Sequence, residues 1–132
     1  MQIIRLACVL GLGLAGVAPA AAPTFYRDIL PVLQENCQGC HREGEIGPMA
    51  FPDDYGKVRP WARAIRQSVV TKRMPPWFAD PAHGRFANDR ALPKELIEKI
   101  TAWADAGAPA GDPKDAPAAK KYVEGWNIAD PD

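Results

Sequence analysis

The stretch Cys37-Gln38-Gly39-Cys40-His41 decides how this chain is read. It has the form C-x-x-C-H, the attachment pattern of a c-type haem. The spacing lets two thiols on adjacent turns each add to one vinyl group of the same porphyrin. The histidine directly after the second cysteine then falls beneath the iron and ligates it through an imidazole nitrogen. Cys37, Cys40 and His41 are the first candidate cofactor-binding residues, and His41 the first candidate metal ligand. Two other chemistries use similar spacings. A thioredoxin-like C-x-x-C wants an apolar strand before it and a helix starting at the first cysteine. Here Phe25 to Asn36 reads as helix, and a Gly/Pro-rich chain follows the motif. A structural zinc site wants four Cys/His ligands. Only His83 lies beyond His41, and there is no second cysteine pair.

The N-terminus reads as an address. Arg5 supplies a positive n-region, and Leu6 to Val17 form an apolar run too short to span a bilayer. Small residues at Ala18-Pro19-Ala20 and Ala20-Ala21-Ala22 place the expected cleavage after Ala20 or Ala22. Residues 1–22 are thus expected to be a secretory signal peptide, with a retained signal anchor as the alternative. Cys8 would be lost with the signal, leaving Cys37 and Cys40. Export to the periplasm or beyond agrees with haem c maturation outside the cytoplasmic membrane. Such a compartment also permits a disulfide between the two cysteines.

About 110 residues remain, enough for one small domain with a modest core. The full chain carries 16 basic and 16 acidic side chains. There is no basic field to bind nucleic acid, and no long apolar stretch to span a membrane after signal cleavage. The expected organisation is a domain over residues 23–111 and a Pro/Ala-rich extension over 112–132.

Three helices are expected in that domain. Phe25, Ile29, Val32 and Leu33 share one helical face over Phe25–Asn36, with Pro31 set to kink or restart the helix. The second helix should start at Asp53 or Asp54, both competent caps, and run to about Val70. Val58, Trp61, Ala62, Ile65 and Val69 would form its buried face. The third opens at Pro93, repeats Leu96, Ile97, Ile100, Trp103 and Ala104, and stops at Gly107. Its apolar face should pack against the first helix. Between the helices, Gly47-Pro48 is a turn well placed to offer a carbonyl to the second nitrogen of His41, although an ordinary loop proline fits the spacing equally well. Phe86 and Leu92 are candidates to anchor the irregular stretch from Phe78 to Leu92. Ala108 to Lys121 reads as linker or surface wrap, and Tyr122, Val123, Trp126 and Ile128 as an apolar peg.

Met74 is the candidate sixth ligand. In Lys72-Arg73-Met74-Pro75-Pro76-Trp77 the prolines hold the methionine out of a helix, on stiff backbone. An axial thioether wants such a support. The blander use of Met74 is core packing. His83, or no protein ligand, is the next possibility. Met49 lies only eight residues past His41 and reads as pocket packing.

Taken together, Cys37-x-x-Cys40-His41, Gly47-Pro48 and Met74-Pro75 between two helices resemble class I cytochrome c. The resemblance implies an all-α fold, three main helices and long loops wrapped around one covalent haem c. It implies His41 as proximal ligand, Met74 as distal ligand, and Pro48 as the carbonyl donor to His41. A closer resemblance is to a bacterial cytochrome module found fused to copper monooxygenase-like or thioredoxin-like domains. It rests on Tyr26-Arg27-Asp28-Ile29-Leu30-Pro31, Arg73-Met74-Pro75-Pro76-Trp77, Asn88-Asp89-Arg90 and Trp103-Ala104-Asp105-Ala106-Gly107-Ala108-Pro109. In such fusions an element like Gly125-Trp126 leads into the next domain; here the sequence ends at Asp132, as a module serving a separately encoded enzyme would.

Two functions follow as expectations. The first is a periplasmic electron carrier, not an enzyme, which exchanges single electrons with redox partner proteins through an exposed haem edge. The second is an open-site haem enzyme or a gas or peroxide sensor, if Met74 is not a stable ligand. A dithiol oxidoreductase with free Cys37 and Cys40 is a third and weaker alternative.

Overall fold

The computed structural model describes residues 21–76 and 79–123. The expected signal segment up to residue 20, Trp77 and the Trp126 and Ile128 part of the expected peg lie outside the described residues. The described residues are helical, with no strand among them.

The first helical stretch has two parts. Phe25–Ile29 forms a π-helical turn, and α1 continues over Leu30–Asn36. Pro31 sits in the first turn of α1, a position at which a proline is tolerated. The restart expected at this proline is therefore present, and the wider π turn is how the chain enters it. Asp28 closes the start of the turn. The Thr24 N–H donates to Asp28 Oδ2 at 2.7 Å, while the Thr24 carbonyl accepts from the N–H groups of Asp28 and Ile29. This is the return half of a capping box, displaced by one residue because the turn is wide.

Burial pushes the Asp28 carboxyl up, but the Thr24 N–H and then Arg27 outweigh it and hold it below its ordinary value of 3.8. A depressed carboxylate stabilises the fold above its ordinary range, and that stabilisation is lost as pH falls through the lower folded value. Asp28→Asn is expected to cost about 0.5–1 kcal/mol at neutral pH. It should also flatten the acid limb of the stability curve, as measured by denaturant unfolding at several pH values.

The second helical stretch is broken. Asp54 caps α2, Tyr55–Val58, accepting from the Gly56 N–H at 2.8 Å. A 3₁₀ turn, Arg59–Trp61, follows, and then α3, Ala62–Val70. The continuous helix expected here fails at Pro60, which has no N–H to extend the ladder. The turn also rotates Trp61 off the core face. It is 39 % exposed, whereas Val58, Ala62, Ile65 and Val69 are buried as expected.

α4, Lys94–Asp105, carries Ile100 and Trp103 fully into the core. It packs against the Phe25–Ile29 turn, as expected, and against α3. The Trp103 ring lies 6.2 Å from that of Phe25. Arg66 on α3 pairs with Asp105 on α4 at 2.9 Å, an exposed contact of small energy. Gly107 ends α4 with φ +85°, and the N–H groups of Gly107 and Ala108 return to the carbonyls of Ala104 and Trp103. That pattern closes the helix and buries Ala108.

The reversed chain then meets the first turn. The Phe25 and Tyr26 N–H groups, which have no partner inside their own helix, donate to the carbonyls of Pro109 and Ala110 at 2.9 and 3.1 Å. Tyr55 donates its hydroxyl to the Ala108 carbonyl at 2.8 Å. Beyond the expected domain limit at residue 111 the chain does not leave. Pro113–Asp115 packs on the first turn, Gln34 donates to the Ala118 carbonyl, and Lys120 pairs with Glu35. Residues 112–122 are a wrap on the domain rather than a linker. Val123 is 63 % exposed, so the described part of the expected peg is held by Tyr122 alone. Phe86 is 52 % exposed and is not packed against the core of the described residues, whereas Leu92 is. No helix among the described residues is long and apolar enough to cross a membrane.

Candidate functional site

The end of α1 hands the chain directly to the Cys37–His41 loop. The N–H groups of Cys37 and Gln38 both return to the Leu33 carbonyl, and those of Cys40 and His41 to the Cys37 carbonyl. The loop is a tight continuation of the helix, and it places both cysteines and the histidine on the wall of one cavity of about 410 Å³. That volume lies within the range of small-molecule and cofactor pockets, about 300–1,000 Å³. Pro48, Met49 and Phe51 line it from the following loop, Trp61, Ile65 and Val69 from the α3 side, and Met74 from the far loop. The cavity brings together Cys37, Cys40, His41, Pro48 and Met74. It leaves out His83, an exposed loop residue whose side chain is 80 % accessible and 4.0 Å from Asp80.

His41 is buried and held from two sides. Its Nδ1 lies 2.9 Å from the carbonyl of Met49, which makes Nδ1 the protonated nitrogen and leaves Nε2 with its lone pair. No hydrogen bond to Nε2 occurs among the described residues. The Phe51 ring stacks on the imidazole at 4.9 Å with the planes 23° apart. The acceptor is not the Pro48 carbonyl, as the resemblance implied. The Gly47 N–H donates to the Cys40 carbonyl, and the Phe51 N–H to the His41 carbonyl, both at 2.8 Å. These two bonds lay the returning chain along the motif in a register that brings the Met49 carbonyl, not that of Pro48, against the ring. Pro48 stays in the cavity wall.

Gly47 is required by close approach. A Cβ there would stand 2.6 Å from both His41 Nδ1 and the Cys40 carbonyl oxygen. Gly47→Ala is expected to cost about 1–3 kcal/mol through forced displacement of the loop. It should also weaken the Nδ1–H to Met49 contact, visible in the NMR signal of that ring proton.

Cys37 and Cys40 are free thiols. Burial first, and then the neighbouring Cys40, push the Cys37 thiol up to about 12. A nucleophilic redox cysteine needs the opposite shift, toward the thiolate. Among the described residues no group of three or more His, Cys, Asp or Glu side chains could hold a metal ion. The metal-ligating residue types on the cavity wall are His41, Met49 and Met74 beside Glu35 and the two cysteines. Met74 is 38 % exposed, and its peptide bond to Pro75 is cis.

The residues present suit a flat apolar macrocycle. The wall is mostly apolar, with Glu35, Asn36, Ser68, Arg73 and Arg90 also on it, and it carries both thiols together with an oriented imidazole whose Nε2 makes no hydrogen bond among the described residues. Phe51 and Trp61 were not singled out from sequence as site residues. Phe51 is the only aromatic residue between His41 and Asp53, the one local signal that could have marked it. No protein-family model, curated protein or solved structure matches this chain.

Proposed function

We propose that this chain is a monohaem c-type cytochrome that carries single electrons between redox partner proteins outside the cytoplasm. The observation that carries the reading is the cavity wall, where Cys37, Cys40, His41 and Met74 meet. Cys37 and Cys40 would hold the porphyrin by thioethers, and His41 and Met74 would bind the iron. The haem, when bound, supplies a one-electron ferric/ferrous couple.

The chain's own residues do the rest. The Met49 carbonyl fixes the His41 tautomer and, with Phe51, the plane of the ring. An imidazole held this firmly would move little between the two oxidation states of a bound haem, which would lower the reorganisation of each transfer. Pro75 and Pro76 limit the movement of Met74. A Met/His ligand pair would raise the potential relative to two nitrogens. Ile65, Val69 and Leu92 put apolar side chains on the pocket wall and would limit the access of water to a bound haem. The raised Cys37 thiol argues against the dithiol alternative.

The test is the visible spectrum of protein matured in a periplasm, oxidised and reduced, repeated after denaturation. Sharp low-spin bands, a sulfur-to-iron charge-transfer band and pigment that survives denaturation are expected. Absence of pigment where a control cytochrome matures would overturn the reading.

If Met74 were not a stable ligand, the iron would be open to a gas or peroxide. Carbon monoxide separates the two. The reduced wild-type protein is expected to bind it slowly and weakly. Met74→Ala is expected to give high-spin bands and rapid binding while the pigment stays covalently attached. Rapid binding by the wild type would move the function to the sensor or enzyme class.

A further inference from the structure

Gln38 lies inside the C-x-x-C-H loop, yet it is only 5 % exposed and takes no part in the cavity wall. Its side-chain amide is fully used. Nε2 donates to the Phe51 carbonyl and to Asp53 Oδ1, both at 2.8 Å. Oε1 lies 2.9 Å from the hydroxyl of Tyr122, 84 residues along the chain. The same hydroxyl is 2.7 Å from the Gln34 carbonyl near the end of α1, so its single proton is shared between two acceptors. Burial holds the Tyr122 phenol above its ordinary range, which keeps it a donor throughout neutral pH.

The Tyr122 ring makes a second connection. The Arg42 guanidinium sits 4.5 Å from its centroid and donates to the carbonyls of Gln38 and Gly39 at 3.1 and 3.0 Å. Both residues between the two cysteines are thus tied, directly or through Arg42, to one C-terminal side chain. The tie extends to the histidine. Phe51, whose carbonyl accepts from Gln38, is the ring stacked on His41.

We propose that the C-terminal strap, residues 118–122, is a clamp on the C-x-x-C-H loop, and that Tyr122 is a positioning residue which holds His41 in place through Gln38 and Phe51. The clamp stands on these contacts alone; its consequence for an iron ligand rests on the functional reading given above. Tyr122 is well suited to the task. A tyrosine supplies a ring for Arg42 and a hydroxyl for a buried amide at little rotamer cost. Remove the hydroxyl, and Gln38 Oε1 is left buried without a donor, which costs more than the hydrogen bond itself was worth.

The test is amide hydrogen exchange on the full-length holoprotein, comparing wild type with Tyr122→Phe and Lys120→Gln. Tyr122→Phe keeps the ring under Arg42 and deletes only the hydroxyl. It is expected to raise exchange of the Cys40 and His41 amides about tenfold while the α4 amides stay within about twofold. Lys120→Gln removes the exposed pair with Glu35 and the 5.8 Å approach of its ammonium to the Tyr122 ring but leaves every bond of the Tyr122 hydroxyl, and both sets should stay within about twofold. Gln38→Met breaks the same link from the other side and should reproduce the local rise, which covers a Tyr122 variant that does not fold. The midpoint potential of the haem should shift with Tyr122→Phe and not with Lys120→Gln. Unchanged loop exchange, an equal rise across the whole domain, or the same effect from Lys120→Gln would each overturn the clamp. If the wild type carries no covalent haem, the functional reading fails, and exchange on the full-length chain still decides the clamp.

Discussion

On the proposed haem attachment, replacing Cys37 and Cys40 together by serine is expected to abolish covalent pigment, from one haem per chain to none after denaturation. Serine cannot form a thioether to a vinyl carbon, and no other cysteine is present among the residues that survive the expected signal cleavage. The measurement is the absorbance that stays with the polypeptide on denaturing chromatography. His41→Ala should behave differently. Both thiols remain, so some pigment should stay attached, but the iron would lose its proposed nitrogen ligand and the low-spin bands should disappear. Pigment that stays covalently bound in the double serine variant would remove these cysteines from the proposed attachment site. The two variants therefore separate attachment from ligation.

Trp103→Ala is expected to destabilise the fold by about 3–5 kcal/mol, the range for deleting a large buried aromatic side chain. Trp103 is fully buried against Phe25, and its indole N–H donates to the Pro109 carbonyl at 3.0 Å. That carbonyl also accepts from the Phe25 N–H, so it is not orphaned when the indole goes. The loss is therefore one of packing, at the point where α4 meets the first helical turn. Small domains have only about 5–15 kcal/mol in total, and this variant should lose a large share of that. Trp103→Phe restores part of the packing and should recover more than half of the loss. Denaturant unfolding of both variants, with unchanged slope, checks the prediction. An alanine variant within about 1 kcal/mol of wild type would show that the core re-forms around the gap.

How much of this was legible in the chain depends on the range of the interaction involved. The first and last helices and the stop at Gly107 follow from residues within a few positions of one another. Ile100 and Trp103 are buried because a 3.6-residue repeat has one inward face. The restart at Pro31 is equally local. The second helix was misjudged at Pro60, because the apolar repeat continues across the break and conceals it. Trp61 fits the repeat, yet it stands at the cavity, since the 3₁₀ turn rotates it away from the face that the repeat assigns. Phe86 was expected to anchor its loop on the strength of its apolarity, and it is exposed.

The site divides in the same way. The spacing of Cys37, Cys40 and His41 and the stiff backbone after Met74 are covalent facts, readable without a fold. Which carbonyl faces His41 is a matter of loop register. It is set by two backbone hydrogen bonds that place Met49 rather than Pro48 against Nδ1. Asp53 and Asp54 were equal candidates for a helix cap. Asp54 took the cap, and Asp53 turned to Gln34 and Gln38, a choice that exists only once α1 and the motif loop lie beside it.

Periodicity, proline and glycine, and the chemical identity of the candidate ligating side chains were thus present in the order of residues, because each acts through near neighbours. The orientation of His41, the shared cavity wall and the hold of Tyr122 on Gln38 came from packing. Each joins groups far apart in sequence, and their energies favour one partner over another only after the helices have met.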